Sequence, residues 1–506
     1  MTPRNEITKV SRFPRTTVLI MVCTGFIANP GLAGAAAEKK SYTKPPFAPF
    51  SSQMPDALLG NYKYEKPVWN LHEALGLPEW LSLSLEQRTR YETMDGTFRR
   101  GSQGGDQQIP MQIDLWLEAH SDHWRLGGEF LDARQFGADE GSGINNTLNN
   151  THVDEADFIQ GYLAWSDQNV LYSGLGVEAI AGRQTLNFGS RRLIARNAMR
   201  NTINSFDGFR LRVVDYNHWQ FNAFVTKPVG RYPNNSNQLL DHFHSFDEPE
   251  EQIWFSGGFL EVYDLPGKIN AELYLYHLDE GDRKRNPTSN RRYFTPGMRF
   301  YIKPEKGHFD FQTETIGQFG TVRATTAASD GKNLDHSAWY QHLDVGYTFQ
   351  MPWSPRLAVE YDYASGDHDP KDNKDQRFDT LFGARRFEFG PTGIYGAFAR
   401  SNINTPGVRL GFSPRPDVQA FIGHRLFWLA EDKDAWTTAN LRDTTGNTSS
   451  FIGQQLELSA RYDFNSSLNF ETGWAHLFKG AFAKETAGAP NGKDIDYFYV
   501  QSLFRF

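Results

Sequence analysis

The chain has 506 residues, long enough for several soluble domains or one large barrel. Its 60 acidic against 52 basic residues give a net charge of -8, so nothing in the overall charge points to nucleic acid. A mean hydropathy of -0.57 with 39% hydrophobic residues excludes a helical membrane protein, yet aromatics reach 14%. A transmembrane barrel gives this combination, because its lumen and loops are wet while its outer band and girdles are apolar and aromatic. A large soluble all-β protein matches it as well.

Taken from the N-terminus, Arg4, Lys9, Arg12 and Arg15 precede an apolar run over 17–28, and small residues follow at 33–37. That is the order of a cleavable secretory signal, expected over 1–36. The only cysteine, Cys23, lies inside it. The mature chain is therefore expected to have no thiol, and with it no disulfide, cysteine-ligated metal or cysteine catalysis. Residues 37–78 are rich in Pro, Lys and Ser without a sustained period and read as a periplasmic lead-in.

From Trp80 onward the period is two. Leu81, Leu83 and Leu85 face one way, with Glu86, Arg88 and Arg90 on the opposite parity. Ile113, Leu115 and Leu117 alternate with Asp114 and Glu118, Leu357 and Val359 with Arg356 and Glu360, and Leu456 and Leu458 with Glu457 and Arg461. The solvent face of a sandwich would produce the same dyads, so the connections have to decide. These alternate short and long: eight tight turns, among them 264–268 and 303–308, and nine long loops, among them 188–204, 228–250 and 366–400. Both termini fall on the tight-turn side. The expected fold is all-β, a transmembrane antiparallel up-and-down barrel of about eighteen strands spanning 79–506, with short periplasmic turns and long extracellular loops.

A barrel of that size is wide enough for an aqueous channel. Its lumen candidates by parity are Arg88, Arg90, Arg125, Arg210, Arg212, Arg409 and Arg461, with Arg299 and Arg356, beside acids such as Asp114, Glu129, Glu314 and Glu360. The chain carries 34 Arg to 18 Lys. The planar guanidinium fork matches carboxylates in two-point contact, which suits a carboxylate-bearing solute; for any single arginine, a brace to a lumen acid is the competing reading. The 366–400 loop carries Arg377, Arg385, Arg386 and Arg400 and is long enough to fold inward. Its acidic start, Asp367, Asp369 and Asp372, is a weak calcium candidate, with a solvated acidic loop as the blander reading. His242 and His244 form a weaker metal pair, no Gly-x-Ser-x-Gly elbow is present, and no cofactor is expected.

At the C-terminus Phe498, Val500, Phe504 and Phe506 share one face and Tyr497, Tyr499, Gln501 and Arg505 the other. A final strand ending in Phe resembles that of bacterial outer-membrane barrels, which closes the barrel and is read by the barrel assembly machinery. Gly182-Arg-Gln-Thr-Leu-Asn-Phe-Gly-Ser-Arg-Arg-Leu-Ile194, Ser205-Phe-Asp-Gly-Phe-Arg-Leu211 and Glu360-Tyr-Asp-Tyr-Ala-Ser-Gly-Asp-His-Asp-Pro370 resemble the signature of the alginate-export family of outer-membrane porins. Ser190 and Ala195 depart from that pattern. The resemblance implies a monomeric barrel in the outer membrane of a Gram-negative bacterium, in contact with its lipid and with periplasmic export proteins, passively secreting an anionic polysaccharide such as a polyuronate. It carries Arg183, Arg192 and Arg210 over as lumen or loop-anchoring residues, although Arg183 shares the parity of Val177 and Ala179 and faces lipid unless a bulge intervenes. The alternatives are an uptake porin for small carboxylates or oligosaccharides and an outer-membrane hydrolase.

Overall fold

The computed structural model describes residues 66–506 apart from 139–148, 198, 217, 242, 283–286, 328 and 491. The expected signal, most of the lead-in and His242 lie outside the described residues. Eighteen long strands form one closed antiparallel sheet. In chain order they are β1 (Leu81–Asp95), β2 (Asp106–His120), β3 (Trp124–Phe136), β4 (Asp154–Asp167), β5 (Gly176–Gln184), β6 (Phe206–Asp215), β7 (Trp219–Gly230), β8 (Ile253–Leu265) and β9 (Ile269–Glu280). They continue as β10 (Arg292–Ile302), β11 (Phe309–Arg323), β12 (Asn333–Thr348), β13 (Arg356–Ala364), β14 (Ile403–Arg415), β15 (Val418–Trp428), β16 (Phe451–Asn465), β17 (Leu468–Lys479) and β18 (Ile495–Arg505).

Each strand pairs with its sequence neighbours, and β18 returns to β1 in a ladder running from Glu86↔Arg505 to Asp95↔Asp496. Closure leaves no edge, so every strand has hydrogen-bonding neighbours on both sides, the condition for a sheet to stand in hydrocarbon. Tight turns and long loops alternate at the two rims as the sequence spacing predicts, with both ends of the barrel sequence at the tight-turn rim.

The dyad period decides the faces. In β18 Tyr497 and Tyr499 are wholly buried, while Phe498 and Val500 are 39% and 43% exposed. The same split sets exposed Ile113, Leu115 and Leu117 against buried Asp114 and Glu118 in β2. The exposed face is an apolar band with aromatics at both rims, such as Trp124, Phe309 and Trp353 near the tight turns and Phe136, Trp254 and Phe478 near the long loops. That is the exterior of a membrane barrel.

One finding differs from the sequence reading, and a second extends its expectation that the 366–400 loop folds inward. The described end of the lead-in is not featureless: it carries a one-turn helix, α1 (Leu71–Ala74), capped by the Asn70 side chain. Trp69 there stacks on Phe504 and Phe506 at ring distances of 6.3 and 6.2 Å, and its N–H donates to Ser467 Oγ at 2.8 Å. The lumen is also not an open channel along its whole length. Loops 185–205 and 365–402 fold into it, and one continuous core runs from wall residues Met94, Tyr340 and Tyr497 through Leu193, Phe389 and Phe398.

Candidate functional site

The inward loops are held by ion pairs and backbone pairing. Loop 185–205 reaches the β2 and β3 wall through Arg196, which bonds Asp114 at 3.0 Å and also Glu129. Arg192 pairs with Glu314 of β11 and, at 2.9 Å, with Glu388 of the other inward loop. The two loops share a short parallel bridge at Ile194↔Phe382, with the Phe382 N–H donating to the Leu193 carbonyl at 2.9 Å. Loop 365–402 then crosses to the far wall. There Arg386 pairs with Glu457, the Ile394 N–H donates to Glu92 at 3.1 Å, and the Tyr395 hydroxyl donates to Gln455 at 2.6 Å. Fully buried Arg400 pairs with Glu388 and donates to the Ala384 carbonyl at 2.7 Å. Opposite walls are thus tied through a septum of loop.

The septum separates two chambers. The lower one, about 500 Å³, opens toward the tight turns; Arg191, Arg192, Arg299, Lys303, Arg356 and Arg409 line it against Asp310, Asp344, Glu360 and Glu388. The upper one, about 450 Å³, lies among the long loops, with Arg291, Arg323, Arg377 and Arg385 against Asp375 and Asp379. Bases outnumber acids in both. Each volume falls in the range of roughly 300–1,000 Å³ that takes small ligands.

Most sequence-predicted lumen arginines do lie inside but are held by the wall or by inward loop 185–205. Arg88 donates to the Arg200 carbonyl at 2.9 Å and Asn201 at 3.1 Å; Arg90 donates to Gln501, Glu92 and the Met199 carbonyl, each at 2.9 Å. Arg125 and Arg210 converge on Glu178, the latter at 3.0 Å. Arg212 bonds Gln220, Arg409 lies 3.2 Å from Glu360, and Arg461 lies 2.7 Å from Asp463. Arg192 sits on an inward loop rather than a strand. For Arg183 the correction concerns the lumen alone: it is not a lumen residue, but it does anchor a loop, donating to the Asp247 carbonyl of loop 231–252 at 3.1 Å. The β4–β5 register is unbroken, so it keeps its outward parity and forms a cross-strand pair with Asp207 at 2.8 Å near the long-loop rim. The calcium alternative for Asp367, Asp369 and Asp372, the lesser of the two readings of that loop, has no support in the geometry. Asp369 and Asp372 accept from the Lys371 and Lys374 N–H groups in local turns, while the Asp367 N–H donates to Asp434, so the three carboxylates do not converge on one point.

Three arginines absent from the predicted site share a different environment. Arg385, on loop 365–402, lines the upper chamber and donates to the Phe398 carbonyl at 3.4 Å. Arg99 donates to the carbonyls of Ile394 and Tyr395, and Arg200 to Asn204 and the Thr202 carbonyl. Among the described residues none of the three forms an ion pair with an acid. Burial, with Arg385 beside it, lowers Arg99 to about 10, and burial, with Arg400 beside it, lowers Arg385 to about 10, so both stay cationic at neutral pH. Arg200 is lowered by burial and by Arg231 and Arg385. The sequence signal for this cluster was the apolar content of the loops: Leu193, Ile194, Ile394 and Phe398 mark segments that fold inward.

The alginate export family model matches residues 79–494. No curated protein sequence matches the chain. Similar solved structures include OccK5 (OpdH) of Pseudomonas aeruginosa, 12% identical over 85% of this chain and 98% of that one with a TM-score of 0.53. OccAB1 of Acinetobacter baumannii is 12% identical over 85% and 97%, with a TM-score of 0.53. OccK2 (OpdF) of Pseudomonas aeruginosa, solved in complex with glucuronate, is 10% identical over 84% and 98%, with a TM-score of 0.51. At these identities the likeness is one of fold, that of outer-membrane porin barrels.

Proposed function

The chain belongs to the alginate export family of outer-membrane barrels, and we propose that it passes an anionic polysaccharide, a polyuronate, from the periplasm to the outside. The observation that carries this reading is the group of Arg99, Arg200 and Arg385, half-buried guanidinium groups that form no ion pair with an acid among the described residues, with Arg385 lining the upper of two chambers that each hold an excess of bases. A carboxylate entering the lower chamber meets Arg191, Arg299 and Arg409 first, then the cluster as the inward loops yield, then Arg291 and Arg323 on the way out. Each contact is to a group already bonded elsewhere or weakly hydrated, so it holds the polymer briefly and releases it, as conduction requires. Transport is passive, and no bond is made or broken.

A second reading is favoured by the septum: uptake of single uronates or similar small carboxylates, which fit either chamber without displacing a loop. OccK2, with the same fold, was solved with glucuronate. Both readings are tested in planar bilayers. Polyuronate added to the tight-turn side blocks the ionic current of the wild type, and Arg385→Gln with Arg99→Gln weakens the block by on the order of ten-fold, the loss of about 1.4 kcal/mol of attraction. Block by monomeric glucuronate but not by polymer supports uptake; block by neither refutes both.

A further inference from the structure

At the long-loop rim three carboxylates meet. Asp154 and Asp157 lie on β4 and Asp247 on the loop 231–252; all are buried, and each offers an oxygen within 4.8 Å of the other two. Regular β4 pairing would send residues three apart to opposite faces. The register against β3 slips between Leu131 and Ala133, with Ala156 in the left-handed region at φ 58°, and the slip turns both aspartates to the same side.

The hydrogen bonds to the cluster come from backbone N–H groups. Asp157 accepts from the Phe158 and Asp247 N–H groups, each at 2.5 Å, and Asp247 accepts from the Tyr232 N–H at 2.8 Å. Asp154, 3% exposed, has an enclosed Oδ2 with no hydrogen-bond partner. The nearby arginines are committed elsewhere: Arg183 to Asp207 and the Phe158 and Asp247 carbonyls, Arg231 to the Asn150 and Ile203 carbonyls, Arg200 to Asn204. Among the described residues no basic side chain forms an ion pair with any of the three. Three enclosed carboxylates facing one point are costly unless a cation stands between them.

We propose that Asp154, Asp157 and Asp247 hold a calcium ion that staples loop 231–252 to β4. The donors are hard anionic oxygens from two segments, without nitrogen or sulfur, the set that favours calcium over transition metals. The staple also bears on the channel. Arg231 of the pinned loop holds the Asn150 and Ile203 carbonyls, and Thr202 donates to the Asn150 carbonyl at 3.1 Å, so the ion secures the root of inward loop 185–205.

The test uses the folded full-length barrel in detergent after treatment with a chelator. Calcium titrated in a calorimeter binds at one equivalent per chain, and it slows proteolysis within 231–252 by on the order of ten-fold, because binding to the closed form alone draws down the open one. Asp154→Asn combined with Asp247→Asn abolishes both effects while the barrel keeps its heat-modifiable gel migration. If the double variant fails to fold, terbium luminescence on the wild type, displaced by calcium at one equivalent, serves instead. Absence of one-equivalent binding to the wild type, or binding and protection unchanged in the double variant, overturns the proposal, whatever the barrel conducts.

Discussion

Glu388 is the residue on which the septum turns: it forms an ion pair with Arg192 at 2.9 Å and accepts from Arg400, and all three are almost wholly enclosed. Removing one partner of a buried pair strands the other charges, at a cost of about 3–5 kcal/mol. Glu388→Gln is therefore expected to loosen the septum without opening the barrel wall, seen as more frequent and larger open events in single-channel records. Records indistinguishable from wild type would show that the network does not hold the loop. His152, in the loop before β4, bears on pH. Burial lowers it from 6.5 to about 4, so it is neutral in the fold. On acidification the unfolded chain takes up its proton near pH 6.5 and the folded chain only near pH 4, so stability falls as pH drops through that window and levels off below it. Between pH 6.5 and 5 the loss is roughly 2 kcal/mol. Urea unfolding at both pH values checks this, and His152→Gln is expected to shrink the difference.

At the scale of elements, the strands were legible and the septum only in part: the inward reach of the 366–400 loop was expected from its length, whereas the inward path of loop 185–205 and the contacts of both loops were not. A two-residue period assigned Arg88, Arg90, Arg125 and Arg210 to the interior because a strand allows only two faces, and the same parity warned that Arg183 lies outside. Pairing was another matter. Arg125 meets Glu178 from two strands away and Arg196 meets Asp114 across the lumen; such partners depend on sheet shear and loop path, which no local period encodes. The rim acids Asp154, Asp157 and Asp247 were missed because a register slip, silent in the sequence, brings them together. Since the crossing segment of loop 365–402 bonds both walls, deleting 386–398 with a short glycine linker is expected to raise conductance several-fold while β13 and β14 stay paired. An unchanged conductance would place the narrowest point elsewhere.

For the whole molecule, closure by β18 on β1, an apolar exterior and an ionic interior give a porin-type barrel, and the loops divide its interior into two base-rich chambers. The net charge of -8 gives no hint of this, because it averages over the whole chain, whereas the excess of bases is local to the linings of the two chambers. Fixed charge in a narrow, low-dielectric passage decides which ion enters, so selectivity reports the lumen rather than the chain average. The most direct measurement is the zero-current potential of the purified barrel in a bilayer under a tenfold KCl gradient. A lumen that attracts carboxylates gives the sign of chloride preference, reduced in Arg99→Gln with Arg385→Gln; a potential with the sign of potassium preference would contradict an anion-conducting channel.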